Sequence, residues 1–209
     1  MDILLAAIAG YLLGAIPVGL IVTRLSGGVD VRDYGSGKTG FTNTLRVVGL
    51  KRSVPVFVGD FLKGLAAALL PLLWTDDPWA RAAGGVAAIV GHAWPVFAGF
   101  RGGRGVLAGV GALFGLNPLA ALIVVPVMVV CVGATRYVSL GSITAAFTAG
   151  VVFLALAALN QQSWAYGVAA ALGAALIIAL HHDNIGRLLA GTERKLGKGG
   201  DRRVAPPTA

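Results

Sequence analysis

The chain of 209 residues is 56% hydrophobic and only 12% charged, with 31 glycines, a balance that fits a polytopic membrane protein and excludes an ordinary soluble domain. Its formal net charge of +8 is the kind of excess that cytoplasmic loops of membrane proteins carry, so no nucleic-acid partner is expected. The lone cysteine, Cys131, lies in a hydrophobic run, offers no disulfide or metal framework and reads as a packing residue.

The first apolar run, Ile3 to Thr23, has the ~20 residues a helix needs to cross the hydrocarbon, and Pro17 should kink it. The only early charge is Asp2, so the run does not read as a cleavable signal peptide. Loop 24–52 follows, with Arg24, Arg32, Lys38, Arg46, Lys51 and Arg52. Within it, Tyr34 to Gly49 (YGSGKTGFTNTLRVVG) is the longest polar, glycine-punctuated stretch of the chain. Glycines 35, 37 and 40 are expected to reach positive φ and turn successive N–H groups toward one anion. The GSGKT run is not a P-loop, because Arg32 stands where that motif needs its first glycine. A short helix is expected over Thr44 to Leu50, where Leu45, Val48 and Gly49 recur at helical spacing.

A second span, Ser53 to Trp74, contains Asp60 and Lys63, an i, i+3 carboxylate and ammonium on one helix face. Structural glue and a functional role weigh equally for that pair. After the connector TDDPWAR, a third span runs from Ala80 to Ala98 and leads into GHAWPVFAGFRGGRG at 91–105. There Pro95, Gly102 and Gly103 break the helix, and Arg101 and Arg104 flank the paired glycines. A short apolar segment ending at Asn117, then Pro118 to Ala134, Leu140 to Leu159 and Trp164 to Leu180 complete the set. The expected fold is an all-α integral membrane protein of seven transmembrane helices. It forms a single domain over 1–209, with a basic, flexible tail from about 196.

An outside N-terminus puts the cations of loop one, Arg101, Arg104, Arg136 and those from Arg187 onward on one side, leaving only Arg81 opposite, beside Asp76 and Asp77. The positive-inside rule therefore predicts N-out and C-in. Trp74, Trp79 and Trp164 then form an outer aromatic belt. Four polar segments, 34–49, 91–105, 137–142 and 181–195, fall on the cytoplasmic face. Together they read as one cationic site suited to a phosphorylated cytosolic substrate. Any single basic residue is most often a topological anchor, but topology asks for no glycines around Arg46 and Arg104, which favours function for both. Ser36, between two glycines, reads as a phosphate donor, whereas Ser142 could equally serve close helix approach. His92 is balanced between core and site. His181 and His182 sit where a helix C-terminus favours a protonated imidazole, one structural and one functional. No HExxH, cysteine pair or carboxylate cluster calls for a metal.

In order along the chain, GSGKTGFTNTLRVVG from Gly35, DFLKG from Asp60, GHAWPVFAGFRGGRG from Gly91 and HHDNIGRLLAGTERK from His181 resemble the motif series of the bacterial acyl-phosphate:glycerol-3-phosphate acyltransferases, the PlsY-type family. The resemblance covers nearly the whole chain. It implies a multi-pass enzyme of the bacterial inner membrane with its active site on the cytoplasmic face. Such an enzyme moves a fatty acyl group from acyl phosphate to the sn-1 hydroxyl of glycerol 3-phosphate, giving lysophosphatidic acid and phosphate without acyl-CoA, acyl carrier protein or any cofactor. The substrate-binding set is then Ser36, Lys38, Thr42, Asn43, Arg46, Gly102, Gly103, Arg104, Ser142, His181 and Asn184. Catalysis falls to His181, Ser36 and Arg46, and support to Asp60, Lys63 and His92. Implied partners are glycerol 3-phosphate, acyl phosphate, membrane lipid and the enzyme that makes acyl phosphate. The chain departs from the family pattern at Lys38 and Thr39 (Asn-Pro in the family), Phe41 (Ala), Arg104 (Lys), and Leu180 and His182 (basic). The general base is left open between His181 and the acceptor's own phosphate. A transporter or flippase for a phosphorylated solute is the rival reading, and a scaffold that has lost catalysis is a third.

Overall fold

The structure is a computed structural model that describes residues 1–198, 200 and 201. It is all helical, with no strand among the described residues. The first apolar run breaks where Pro17 was expected to kink it: α1 covers Asp2–Gly14 and α2 covers Val18–Gly27. The short loop helix α3 is Phe41–Val48, three residues earlier than the periodicity suggested. It is followed at once by α4, Leu50–Leu69, extended by a 3₁₀ turn over Leu70–Leu73. Helix α5, Pro78–Ala93, stops before Pro95 and does not continue to Ala98, because a residue before proline is driven out of the helical region. Then come α6 (Val106–Leu116), α7 (Pro118–Thr135), α8 (Val138–Ala158), α9 (Trp164–Ala179) and α10 (His182–Leu189).

Four stretches are long and apolar enough to cross a membrane: Asp2–Gly27, Leu50–Leu73, Pro118–Thr135 and Val138–Ala158. A fifth arises if α9 and α10, bent by 58°, are one broken span. Helix α7 leaves Leu119, Leu122, Ile123, Val129 and Val130 exposed, an apolar face that water would not tolerate and lipid tails cover. The interior is built from small residues. Buried alanines dominate it, and Gly10 and Gly14 of α1 lie against the backbone of Gly84 and Ala88 in α5. Where lipid is as apolar as any side chain, close backbone approach supplies the packing energy that hydrophobicity cannot.

Arg81, the one cation that sequence placed on the far side, is a staple. Its guanidinium donates to the carbonyls of Ala68 (3.3 Å) and Gly115 and to the Tyr166 hydroxyl (2.7 Å), and lies 5.3 Å from the Tyr166 ring. Those carbonyls belong to the last turns of α4 and α6, which have no helical partner of their own. The start of the tail makes contacts with the body of the protein. Leu196 N–H donates to Arg136 O (2.7 Å), Lys195 lies over the Tyr137 ring, and Gly35 N–H donates to Asp201 O (2.9 Å). Residue 199 and residues 202–209 of the tail lie outside the described residues.

Candidate functional site

One cavity of about 650 Å³ opens at the end of the molecule where the glycine-rich loop, the 102–105 turn, the α7–α8 connection and α10 meet. Ser36, Lys38, Thr42, Asn43, Arg46, Arg104, Ser142, His181 and Asn184 all line it, with Asp60 and His92 on the same wall. Residues more than a hundred positions apart in sequence thus share one space. Lys38, Arg46, Arg104, Arg187 and Arg194 set its charge, against the carboxylates of Glu193 and Asp60. The first residues of α3, α6 and α8 also lie on its surface, so three helix N-termini add the partial positive charge of unpaired N–H groups.

The loop is held in shape from inside by Asn43, which is 3% exposed. Its Oδ1 accepts the Ser36 N–H (2.9 Å), and its amide nitrogen donates toward the carbonyls of Val31, Tyr34 and Lys38 (3.0, 3.1 and 2.9 Å). An amide has two donors and one acceptor oxygen, so Asn43 is occupied as the loop's internal brace. Gly35 and Gly37 adopt φ of 52° and 71° as expected. Gly40 does not: at φ −77° it is the extended residue that opens α3.

Gly102 and Gly103 do not line the cavity. They run behind it, donating to Ala93 O (3.2 Å) and His92 O (3.0 Å). A Cβ on Gly103 would sit 2.1 Å from His92 Nε2, so only glycine lets this strand of chain touch the imidazole. They lead the chain into Arg104, which does line the cavity. Lys63 is likewise removed from the surface: its ammonium pairs with Asp60 Oδ1 (2.9 Å) and donates to Ile16 O (3.1 Å) at the α1–α2 break.

Arg104 Nε donates to Leu180 O (3.1 Å), and His181 Nδ1–H to Ile177 O (2.7 Å). Both capture carbonyls from the end of α9, which would otherwise point negative charge into the site. The second bond fixes the tautomer, leaving the His181 Nε2 lone pair bare. His181 lies just beyond the C-terminal cap of α9, in the bend before α10. Burial, opposed by the Ile177 carbonyl and reinforced by Arg104, pushes its pKa down to about 4, so the imidazole is neutral. The sequence expectation of a protonated histidine at this helix end therefore fails, because desolvation outweighs the helix dipole. Burial, then repulsion from Arg194, lowers the Arg46 pKa, and burial with Arg187 lowers that of Arg104. Arg46 Nε is buried with no hydrogen-bond partner. The cations crowd one another, which is the condition an anionic ligand relieves.

Glu193 escaped individual notice in the sequence. It accepts from Ser139 Oγ (2.9 Å), Asn184 Nδ2 (2.7 Å) and Arg187 Nε (2.7 Å). It thereby ties the start of α8 to α10 and orients Asn184, whose Oδ1 is buried without a partner. Burial works against its charged form, but these three donors together hold its pKa below the usual value. The signal was local: a glutamate six residues after an arginine in an otherwise basic run. Beyond the polar end the cavity continues as an apolar groove between Phe57 of α4, Val106 and Val110 of α6, and Val125, Met128 and Val129 of α7. Phe57 and Val129 are 45% and 63% exposed, so the groove reaches the lipid-facing surface.

The family description "Glycerol-3-phosphate acyltransferase" matches residues 4–191. The glycerol-3-phosphate acyltransferase of Thermoanaerobacter sp. is 43% identical over 198 residues, covering 95% of this chain and 98% of the relative. That of Halalkalibacterium halodurans is 41% identical over 196 residues, with 93% and 95% covered. The crystal structure of PlsY, an integral membrane glycerol 3-phosphate acyltransferase, in its glycerol 3-phosphate form superposes with a TM-score of 0.84 at 40% identity, covering 94% of this chain and 96% of that one. Its lysophosphatidic acid form gives 0.82 at 39% identity, covering 93% and 95%. With the family pattern spanning nearly all of its helices and every motif at the cavity, the chain belongs to the glycerol-3-phosphate acyltransferase family.

Proposed function

We propose that the protein transfers a fatty acyl group from acyl phosphate to the sn-1 hydroxyl of glycerol 3-phosphate, forming lysophosphatidic acid and inorganic phosphate. The observation that carries this reading is the joining of a strongly cationic pocket to an apolar groove open to lipid in one cavity. That shape suits two phosphates and one acyl chain. Arg46, Arg104, Lys38 and the helix N-termini neutralise the phosphates and bring the acceptor hydroxyl to the acyl carbonyl, and the acyl chain lies along α6 and α7. The hydroxyl oxygen forms the new ester bond, the carbonyl–phosphate C–O bond breaks, and the proton leaves on the departing phosphate. Because a mixed anhydride carries a good leaving group, positioning and charge neutralisation supply much of the acceleration. Neutral His181 accepts a hydrogen bond from the hydroxyl through Nε2 and orients it. A base of pKa about 4 is too weak to hold the proton, which favours a substrate phosphate as its destination.

The arrangement in the membrane follows the same reading. The seven spans are α1 with α2, α4, α5, α6, α7, α8 and α9, with the N-terminus outside and the site on the cytoplasmic face of a bacterial inner membrane. The gathering of Lys38, Arg46, Arg104, Arg187 and Arg194 around one cavity supports that orientation. Ser139, Ser142 and Asn184 complete the polar wall, and acyl phosphate arrives from the enzyme that makes it.

The test is purified protein given acyl phosphate and glycerol 3-phosphate, with acyl-CoA as the comparison and lysophosphatidate measured. Product from acyl phosphate alone is expected, and no product from a folded preparation refutes the assignment. Ser36→Ala and Arg46→Ala are each expected to lose about tenfold or more, the scale of one charge-assisted contact. Wild-type kinetics would remove those residues from the site.

A further inference from the structure

Beyond α10 the chain turns back over the cavity. Gly191 and Gly197 take φ of 68° and 80°, left-handed turns that glycine makes without strain, and between them Glu193, Arg194 and Leu196 line the cavity. Two rims are joined in this way. On the α7–α8 side, Leu196 N–H donates to Arg136 O (2.7 Å), and Lys195 Nζ lies 5.7 Å from the centre of the Tyr137 ring. On the side of the glycine-rich loop, Gly35 N–H donates to Asp201 O (2.9 Å), and Gly200 lies so close to the Arg46 carbonyl that a Cβ would strike it. The chain therefore crosses the cationic end of the cavity, while the apolar groove leaves toward lipid between α4, α6 and α7.

The hold along this segment is uneven. Glu193 is fixed by three hydrogen bonds, and its side chain is 4% exposed. Past it, the described residues reach the rims through the two backbone hydrogen bonds and the Lys195–Tyr137 contact, attachments of the kind that open without global unfolding. Arg194 works against closure, because it repels Arg46 and both cations face the same space. A dianion between them reverses the sign, since each cation then meets an opposite charge. Resting on the reading that phosphates enter this pocket, we infer that Arg194 to Lys198, with Gly200 and Asp201, form a strap across its polar mouth, pulled shut by a bound phosphate and released to admit the acceptor and discharge phosphate. Glu193 is the fixed end about which the strap swings. Closure keeps water from the reacting anhydride, and the acyl chain, arriving by the lipid-facing groove, does not need the strap to move.

Hydrogen–deuterium exchange of the full-length protein in detergent reads the strap directly, with glycerol 3-phosphate as ligand and glycerol as the uncharged comparison. Glycerol 3-phosphate is expected to slow exchange at the Leu196 and Gly35 amides by about tenfold or more, and glycerol to leave it unchanged. Arg194→Gln should be slow already without ligand and gain little from it. Equal exchange with and without glycerol 3-phosphate overturns the inference, and so does equal protection by glycerol. A chain ending at Leu196 keeps Glu193 and Arg194 but loses the far rim. Its KM for glycerol 3-phosphate should rise about fivefold or more, the low end of ordinary coupling between sites, with KM for acyl phosphate unchanged. Wild-type values for both substrates, or an equal rise in both, overturn closure of the polar mouth. If that chain does not survive extraction, exchange in the wild type decides alone. Protection in a protein that forms no lysophosphatidate overturns the acyltransferase reading and leaves the strap, whereas product without protection does the reverse.

Discussion

Replacing Asn43 by alanine tests whether the glycine-rich loop is built around one side chain. In the native loop the Asn43 amide makes one hydrogen bond as acceptor and two as donor, the donors shared among three carbonyls. At about 1 kcal/mol net for each bond, their loss amounts to about 3 kcal/mol, and leaving the Ser36 N–H and the Lys38 carbonyl unanswered adds to it. That is enough to release the loop locally, while the helices behind it are held by their own packing. Asn43→Asp is the sharper variant. It is isosteric and keeps the acceptor for Ser36 N–H, but it turns both donors into acceptors facing three carbonyls. The assay is KM and kcat for glycerol 3-phosphate, alongside the melting temperature in detergent. Both variants are expected to raise KM at least tenfold, with Asp no better than Ala despite its closer shape. An aspartate variant with wild-type KM would refute the brace, because only a side chain that contacts substrate through its oxygen tolerates that exchange.

Gly103→Ala places a methyl group 2.1 Å from His92 Nε2. It should cost about ten- to hundredfold in kcat/KM by displacing Arg104, with a melting temperature within a few degrees of wild type. His181 titrates near pH 4 when folded and at 6.5 when exposed, so the unfolded chain binds the extra proton. The stability it contributes is complete above pH 6.5 and is lost as pH falls toward 4. A melting temperature that drops across that window in wild type, and drops less in His181→Asn, checks this sign. Arg104→Gln should raise the His181 pKa by removing a repelling charge, visible as an upward shift of its imidazole resonance titration. Arg81→Ala should lower the melting temperature by stranding the Ala68 and Gly115 carbonyls, about 1–3 kcal/mol each, with KM for glycerol 3-phosphate unchanged because Arg81 is remote from the cavity.

Much of the architecture is written in local pattern. Apolar runs of spanning length, Pro17 and Pro95, and the glycines at 35 and 37 act through backbone sterics within a few residues, so their consequences are legible one stretch at a time. The asymmetry of charge likewise assembled the polar segments on one face before any coordinates, because membrane topology couples distant loops through a single rule. The short fourth helix was the hard case: α6 has eleven residues, and what lets it end early is Arg81, which lies well before it in sequence and supplies the donor for Gly115.

The sequence by itself determined the class of fold and the polar, cationic segments that meet at one cavity, since these depend on residue type, spacing and side. It could not decide what each member does. Asn43, Gly103 and His92 read as site residues, and tertiary structure sorted them into loop brace, spacer and cavity wall. His181 was expected to be charged, and burial beside Arg104 makes it neutral. Glu193 looked ordinary until Ser139, Asn184 and Arg187 converged on it. The physical reason is common to all five. A role is set by which hydrogen-bond partners a side chain meets and how far water is excluded, and both depend on segments brought together only when the helices pack.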